Sequence, residues 1–526
     1  MTAAESDTAA MPEPVAPAAP TAPGGREAVR AATASVLTGL DAGRWPSKLP
    51  VRDRLALLLD EDSWIEDGLL ANAGRDDLPA DGVLTGVGRV EGRRVAVIAH
   101  DYTVKAGSWG ELGCEKQVRI LERAYRDLLP VVYLVDSAGG RLNDQMGFFP
   151  GRRGASRIFH LQVRLSGRVP QICCLLGPSA AGGAYMPAFT DWVGMVEGNA
   201  SMYLASPRIA EKVTGEVTTL EEMGGARMHA EVSGCGDEVF GTDGEAIAAA
   251  RLLLGYLPGS YRERPAAVAA SAPEPAAWPD GLVPEDPNAS YDVLDVIDRI
   301  VDGGSFFEVK PRWATEMVTG LARLDGEVVG IVANQPSVRS GAIFVDSADK
   351  AARFITLCDA FNVPLVFLQD VPGFMVGAAV ERQGIIRHGA KMVTAMASAE
   401  VPRFTVVLRK AYAAGYYAMC APGFEPRATL ALPTATIGTM SPEASVNAMY
   451  ANRIAGLTDA AERADFVARR VAEQEAEMNL LRMGADLVVD AVVEPGDLRA
   501  ELIRRLADAA GWERTRDHRH HSVSPV

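Results

Sequence analysis

An α/β fold built from one domain used twice is what this sequence of 526 residues predicts. Three observations lead there. A segment of the first half recurs in the second at a constant offset. Strand-like and helix-like patterns alternate in the same order in both copies. The residues between the copies are dense in Ala and Pro, the composition of a linker and not of a packed element.

Residues 1–28 are rich in Ala and Pro and are expected to be disordered; without a basic stretch followed by an apolar one, no secretory signal is expected there. Residues 29–263 form the expected first domain. Within it, 94–99 alternate as a strand does and 113–128 follow the helical period. Val131-Val132-Tyr133-Leu134-Val135 is then a continuous apolar run closed by Asp136 and Gly139, the pattern of a strand buried on both faces of a parallel sheet. Residues 328–333, 348–361 and Leu365-Val366-Phe367-Leu368 repeat that order. Thr85-Gly86-Val87-Gly88-Arg89-Val90-Glu91-Gly92 returns as Thr319-Gly320-Leu321-Ala322-Arg323-Leu324-Asp325-Gly326, an offset of 234 residues. The same register pairs Lys116 with Lys350, Arg119 with Arg353, Pro130 with Pro364, Asp136 with Asp370 and Gly139 with Gly373. Residues 264–287 are the expected linker, 288–515 the second domain, and 516–526 a frayed tail, preferred over a metal site at His518, His520 and His521.

Composition excludes several classes. A formal charge of −16 leaves no basic stripe for a nucleic-acid backbone. No apolar stretch approaches the ~20 residues of a membrane span. The six cysteines show no Cys-x-x-Cys spacing, which points to buried thiols in a reducing cytoplasm and to no metal site.

The chemistry is expected at two small-residue turns, Ser179-Ala180-Ala181-Gly182-Gly183-Ala184-Tyr185 and Tyr412-Ala413-Ala414-Gly415-Tyr416-Tyr417. Each lies where a strand should end and a helix begin. Small side chains let a ligand reach the backbone, and the free N–H groups of a starting helix favour a developing oxyanion. One such turn is ordinary packing; two matched turns suggest a pair of oxyanion holes. A serine hydrolase is disfavoured, because Gly177-Pro178-Ser179-Ala180-Ala181 is not a nucleophile elbow.

Further segments join these turns: Gly107-Ser108, Val213-Thr214-Gly215-Glu216, Glu222-Met223-Gly224-Gly225-Ala226 with Ser233-Gly234, Val371-Pro372-Gly373-Phe374, Gly384-Ile385-Ile386-Arg387-His388-Gly389-Ala390-Lys391, and Arg409-Lys410-Ala411-Tyr412. Together they resemble the biotin-dependent acyl-CoA carboxylase β-subunits, carboxyltransferases of the crotonase superfamily. The resemblance runs from about Lys48 to Gly511. It implies two tandem crotonase-like domains, a hexamer or comparable ring, and active sites where the first half of one chain meets the second half of another. The N–H groups around Gly182 and Gly183 would hold the thioester oxygen of an acyl-CoA, and those around Ala414 and Gly415 the ureido oxygen of biotin. Ala181, Tyr417 and Phe374 would line the substrate, and Tyr412, Ala413 and Tyr416 the biotin. Carboxybiotin would arrive on a separate carrier, because the chain lacks a Met-Lys-Met tripeptide and an ATP-grasp segment. The implied partner is a biotin carboxylase/carrier α-subunit, which alone would use ATP.

The resemblance leaves the direction open between carboxylase and decarboxylase, with a non-catalytic scaffold paralogue as a third reading. Substrate signals are mixed. Ala181-Gly182-Gly183-Ala184-Tyr185 and Tyr416-Tyr417-Ala418-Met419 resemble the methylcrotonyl-CoA branch, whereas Gly107-Ser108-Trp109-Gly110-Glu111 and Arg409-Lys410 resemble the propionyl-CoA branch. Tyr417 falls where propionyl-type members commonly carry Asp. Among single residues, His388 is expected to be structural and not a general base. Lys116 and Lys350 are read as scaffold and Cys420 as packing. Arg152 and Arg153 are left open between CoA phosphates and solvent.

Overall fold

The computed structural model describes residues 25–38, 48–75, 77–514 and 521–525. Two sheets of eight strands form the frame. The first contains β1 (Ile65–Asp67), β2 (Val83–Val90), β3 (Arg93–His100), β4 (Val131–Ser137), β5 (Gln171–Ala180), β6 (Trp192–Val196), β7 (Ser201–Tyr203) and β8 (Glu238–Phe240). The second contains β9 (Phe307–Glu308), β10 (Met317–Leu324), β11 (Glu327–Asn334), β12 (Leu365–Val371), β13 (Arg403–Tyr412), β14 (Ala428–Ala431), β15 (Thr436–Gly438) and β16 (Ala491–Val492). Their orders correspond strand for strand: β1-β2-β3-β4-β5-β6-β8 with β7 beside β5, and β9-β10-β11-β12-β13-β14-β16 with β15 beside β13. β2 and β3 are antiparallel, as are β10 and β11, while β3 to β6 and β11 to β14 run parallel. The duplication read from the sequence is therefore a duplication of topology.

Crossover helices make the parallel pairs possible. Between β3 and β4 runs α1 (Glu111–Asp127), which buries Cys114, Val118, Leu121 and Ala124 on one stripe at helical spacing. It stops where Leu128 turns left-handed, two residues before Pro130. Next come α2 (Ala155–Leu165) between β4 and β5, and, in the second half, α3 (Val345–Ala360) and α4 (Ile385–Ser398). Strand alternation then separates the cores. Val131, Tyr133 and Val135 pack against α1 and α2, whereas Val132 and Leu134 join a core shared with Phe367 of β12 and Phe354 of α3. The two halves thus meet through a common apolar interior, with Trp192 against Phe307 at 6.2 Å between ring centroids.

The ends of the chain differ from expectation. A helix spans Arg26–Thr38, beginning inside the segment 1–28, of which residues 1–24 lie outside the described residues. Residues 264–287 contain no helix or strand, yet they lie on the second half: the Val268 N–H donates to the Gly326 carbonyl at 3.1 Å, and Trp278 packs against the core of that half. Of the tail read as frayed, residues 521–525 are docked. His521 Nε2 meets Asp359 Oδ2 at 2.7 Å, and the Val523 N–H donates to Ser166 Oγ at 2.9 Å with its side chain 4% exposed. An apolar side chain with a buried seat at the seam explains why this end does not fray, and His521 is engaged by a carboxylate. His518 and His520 lie outside the described residues. No helix among the described residues is long and apolar enough to cross a membrane.

Asp191 sits at that seam and gives the fold a pH signature. It is 1% exposed, and its Oδ2 accepts the Gln171 N–H at 2.8 Å. Burial pushes the pKa of its carboxyl from the usual 3.8 up to about 7. Between those values the folded chain holds a proton that the unfolded chain has released, so this group removes stability as pH rises through that window. Asp191→Asn should therefore melt relatively higher than the parent near pH 7 than near pH 4.5. Thermal unfolding of both proteins at the two pH values checks this; an unchanged difference would be the contrary result.

Candidate active site

Both turns form at the ends of the strands that were expected to bear them. β5 ends at Ala180 and β13 at Tyr412, and the next residue, Ala181 or Ala413, takes a left-handed φ of 54° in both. An L-residue pays ~1 to 2 kcal/mol for that conformation, which persists only where the surroundings impose it. The kink swings the chain out of the sheet into a helical turn, Ala181–Ala184 in one half and Ala413–Ala418 in the other. Ala181 and Gly182 are exposed and Gly183 is buried; Ala413 and Ala414 are exposed and Gly415 is buried. Each half therefore offers two small exposed residues whose N–H groups open a helical turn and find no acceptor within it.

A second wall faces each turn. After β4 the chain forms a glycine loop in which the Trp109 N–H donates to the Gly139 carbonyl at 3.1 Å and the Arg141 N–H to the Trp109 carbonyl at 3.0 Å. After β12, the Ile343 N–H donates to the Gly373 carbonyl at 3.0 Å and the Met375 N–H to the Ile343 carbonyl at 2.8 Å. The residue between, Gly140 or Phe374, points its N–H away from that bridge, and neither N–H has an acceptor among the described residues. The loops abut the turns. A Cβ on Gly183 would lie 3.8 Å from Gly139 Cα, and one on Gly415 2.8 Å from Gly373 Cα. Gly139 and Gly373 are paired by the repeat, but nothing local reports which turn a loop will touch.

Charge is confined behind the loops. Asp136 is fully buried and pairs with Lys48 at 2.7 Å and Arg54 at 3.0 Å. Its counterpart Asp370, equally buried, pairs with Arg409 at 2.9 Å and Lys410 at 3.5 Å. Ser137 Oγ donates to the Gly107 carbonyl at 2.7 Å and accepts the Gly139 N–H at 3.0 Å, tying the first loop to the turn before α1.

The remaining candidates divide. Tyr417 is exposed and stands beside Tyr416, ring centroids 6.0 Å apart. Tyr416 is half-buried with its hydroxyl unpartnered, and burial pushes that hydroxyl up to about 12. Tyr412 is 4% exposed, so it presents backbone to the site and not its ring. Phe374 is half-buried against Gly389. His388 Nδ1 meets Asp349 Oδ2 at 2.8 Å on the contact between α3 and α4. Lys116 donates to the Ala80 carbonyl at 3.1 Å and Lys350 to the Lys310 carbonyl at 2.8 Å, both buried, which is the scaffold role expected of them. Arg153 is held by Glu115 at 2.5 Å and Glu122 at 3.2 Å, which occupies the guanidinium that was a candidate for CoA phosphates. Burial pushes the Cys420 thiol up to about 11, as suits a packing residue. No cluster of metal-ligating side chains occurs among the described residues.

Comparison with known proteins shows the family. Residues 46–523 match the family described as the carboxyl transferase domain. The uncharacterized carboxylase YngE of Bacillus subtilis is 53% identical, covering 92% of this chain and 95% of its own. The propionyl-CoA carboxylase carboxyltransferase subunit of Haloferax mediterranei is 38% identical, covering 91% and 94%. The methylmalonyl-CoA decarboxylase subunit alpha of Propionigenium modestum is also 38% identical, covering 87% and 89%. Among solved structures, the transcarboxylase 12S hexamer with methylmalonyl-coenzyme A bound superposes with a TM-score of 0.87 at 37% identity, covering 95% of this chain and 98% of that one. The paired sheets are thus two tandem crotonase-like domains, and the chain belongs to the carboxyl transferase family, as a carboxyltransferase of the acyl-CoA carboxylase group.

Proposed function

We propose that this chain moves a carboxyl group from biotin to the α-carbon of an acyl-CoA, with both oxyanions held by backbone. The observation behind this reading is the matched pair of turns, each with a left-handed alanine and each faced by a glycine loop with an unpaired N–H. At the first turn, the N–H groups of Gly182 and Gly183, with that of Gly140, hold the thioester oxygen as charge develops on loss of the α-proton. At the second, those of Ala414 and Gly415, with that of Phe374, hold the ureido oxygen. Biotin, when bound, would supply or accept the carboxyl group, and its ureido nitrogen would take up or return the α-proton. The second turn suits it: Ala413 and Ala414 leave the backbone reachable, and Tyr416 adds ring surface without charge. Neither turn contains Asp, Glu, His or Lys, so the turns bind and polarise and do not themselves take the proton. Losing one such donor typically costs ~100-fold or more in rate.

Biotin would come from a biotin carboxylase/carrier subunit that uses the ATP, and the chains would assemble as a hexamer with each site shared between two of them. The carboxylase direction is preferred; the likeness to a decarboxylase subunit supports the reverse transfer as the second reading. An acyl-CoA panel with the α-subunit, followed by mass, separates them. ATP-dependent gain of one carboxyl group supports carboxylation. Biotin-dependent loss of carboxyl from a malonyl-type CoA, without gain, supports the reverse.

Gly182→Val should lose at least ~100-fold in transfer while melting like the parent, because a Cβ there meets only Phe159 Cζ at 3.8 Å. Gly415→Val should lose activity and melt lower, because its Cβ would meet Gly373 Cα and Val371 Cγ2 at 2.8 Å. Near-normal turnover of Gly182→Val would reduce that turn to packing. A second test uses Ala414→Phe, which fills the second turn at an exposed position. Unfolding and reassembling it with an equal amount of Gly182→Val should restore roughly a quarter of the sites if sites are shared between chains. A mixture that stays inactive despite demonstrated subunit exchange would mean that both turns of a site come from one chain.

A further inference from the structure

Three aromatic rings extend from the first turn, and no step above uses them. Phe159 of α2 brings its Cζ to 3.8 Å from where a Gly182 Cβ would stand. From there Phe159 meets Tyr185 edge-on at 6.1 Å between centroids and Phe189 at 5.7 Å. Tyr185 stacks on Phe189 at 6.2 Å with the planes 25° apart. Tyr185 is nevertheless 45% exposed. An aromatic ring clamped on two sides and open on a third is a rigid apolar surface, with little conformational freedom left to lose when a ligand covers it. The second half repeats the placement. Tyr417 follows Ala413 at the spacing by which Tyr185 follows Ala181, and it is 56% exposed.

Resting on the carboxyltransferase reading, we infer that Tyr185, backed by Phe159 and Phe189, is the shelf for the acyl chain beyond the α-carbon, and that the site selects uncharged chains of about four carbons or more. The turn fixes the thioester oxygen, and the edge of Phe159 lies 3.8 Å from where a Gly182 Cβ would stand, so the first atoms past the α-carbon pass beside the aromatic cluster. The shelf offers no charge to a second carboxylate on the chain, and a two-carbon acyl group does not extend far enough to cover it. Each methylene laid on the rings is worth about fourfold in affinity.

The test measures binding directly, by calorimetry, for acetyl-, propionyl-, butyryl- and 3-methylcrotonyl-CoA without biotin, and then kcat and KM for each with the carboxylating partner. The parent should bind more tightly along that series. Tyr185→Ala should flatten it, losing roughly ten- to a hundredfold for the five-carbon ester, mainly in KM, and less than about threefold for acetyl-CoA. Tyr185→Phe keeps the ring and should keep the series. Thermal melting establishes that the variants are folded. A series already flat in the parent, one unchanged in Tyr185→Ala, or an equal loss for every ester would overturn the inference while leaving the carboxyltransferase reading in place. Failure of the parent to bind any of the esters would overturn both.

Discussion

Backbone pressed against backbone is the constraint on which both sites depend. A Cβ on Gly107 would lie 2.0 Å from the Asp136 carbonyl oxygen, and one on Gly341 2.6 Å from that of Asp370. A Cβ on Gly139 would lie 2.8 Å from the Ala180 oxygen. Three segments distant in sequence therefore meet with no room for a side chain: the turn before the crossover helix, the loop after the central strand, and the end of the next strand. Contact this close places unpaired N–H groups from two of those segments along one edge. The left-handed alanines are part of the same constraint, since only that kink lets the third segment leave the sheet without striking the second.

A site made in this way differs from one made of side chains. Its donors cannot be deleted by truncating a residue, only crowded or displaced, and their geometry is inherited from sheet register. The side chains around it have two other duties. Some neutralise the charge buried behind the loops, and others, such as Phe159, Tyr185 and Tyr417, shape what lies in front. The first group is interior; the second reaches the surface at Tyr185 and Tyr417.

Much of this was legible in the sequence because it is periodic or repeated. Alternation in 94–99 and the run at 131–135 became β3 and β4, and the constant register between Asp136 and Asp370 became matched strand ends. The Ala-Ala-Gly turns fell at strand ends because small residues followed an apolar run. What escaped was set by long-range contact. Phe374 is expected to line the substrate; in the structure its ring is half-buried against Gly389, and only the bridge to Ile343 reveals that its N–H has no acceptor among the described residues. Gly415 resembled Gly182 in sequence but has Gly373 against it. The docking of Val523 beside Ser166 joins residues 357 positions apart, beyond any local signal.

The two buried aspartates show how far the copies have separated. At the place in β13 where Arg409 answers Asp370, the corresponding residue of β5 is Gly177, and a Cβ there would lie 1.9 Å from Asp136 Oδ1 and 2.8 Å from Lys48 Nζ. The first half has brought its cations in from upstream and emptied the strand to admit them; the second holds them on the strand itself. Grafting β13 into the first half would press extra cations onto one carboxylate, and grafting β5 into the second would strand a bare charge in the interior. The halves are no longer interchangeable parts. A single exchange at either place would crowd or strand a buried charge.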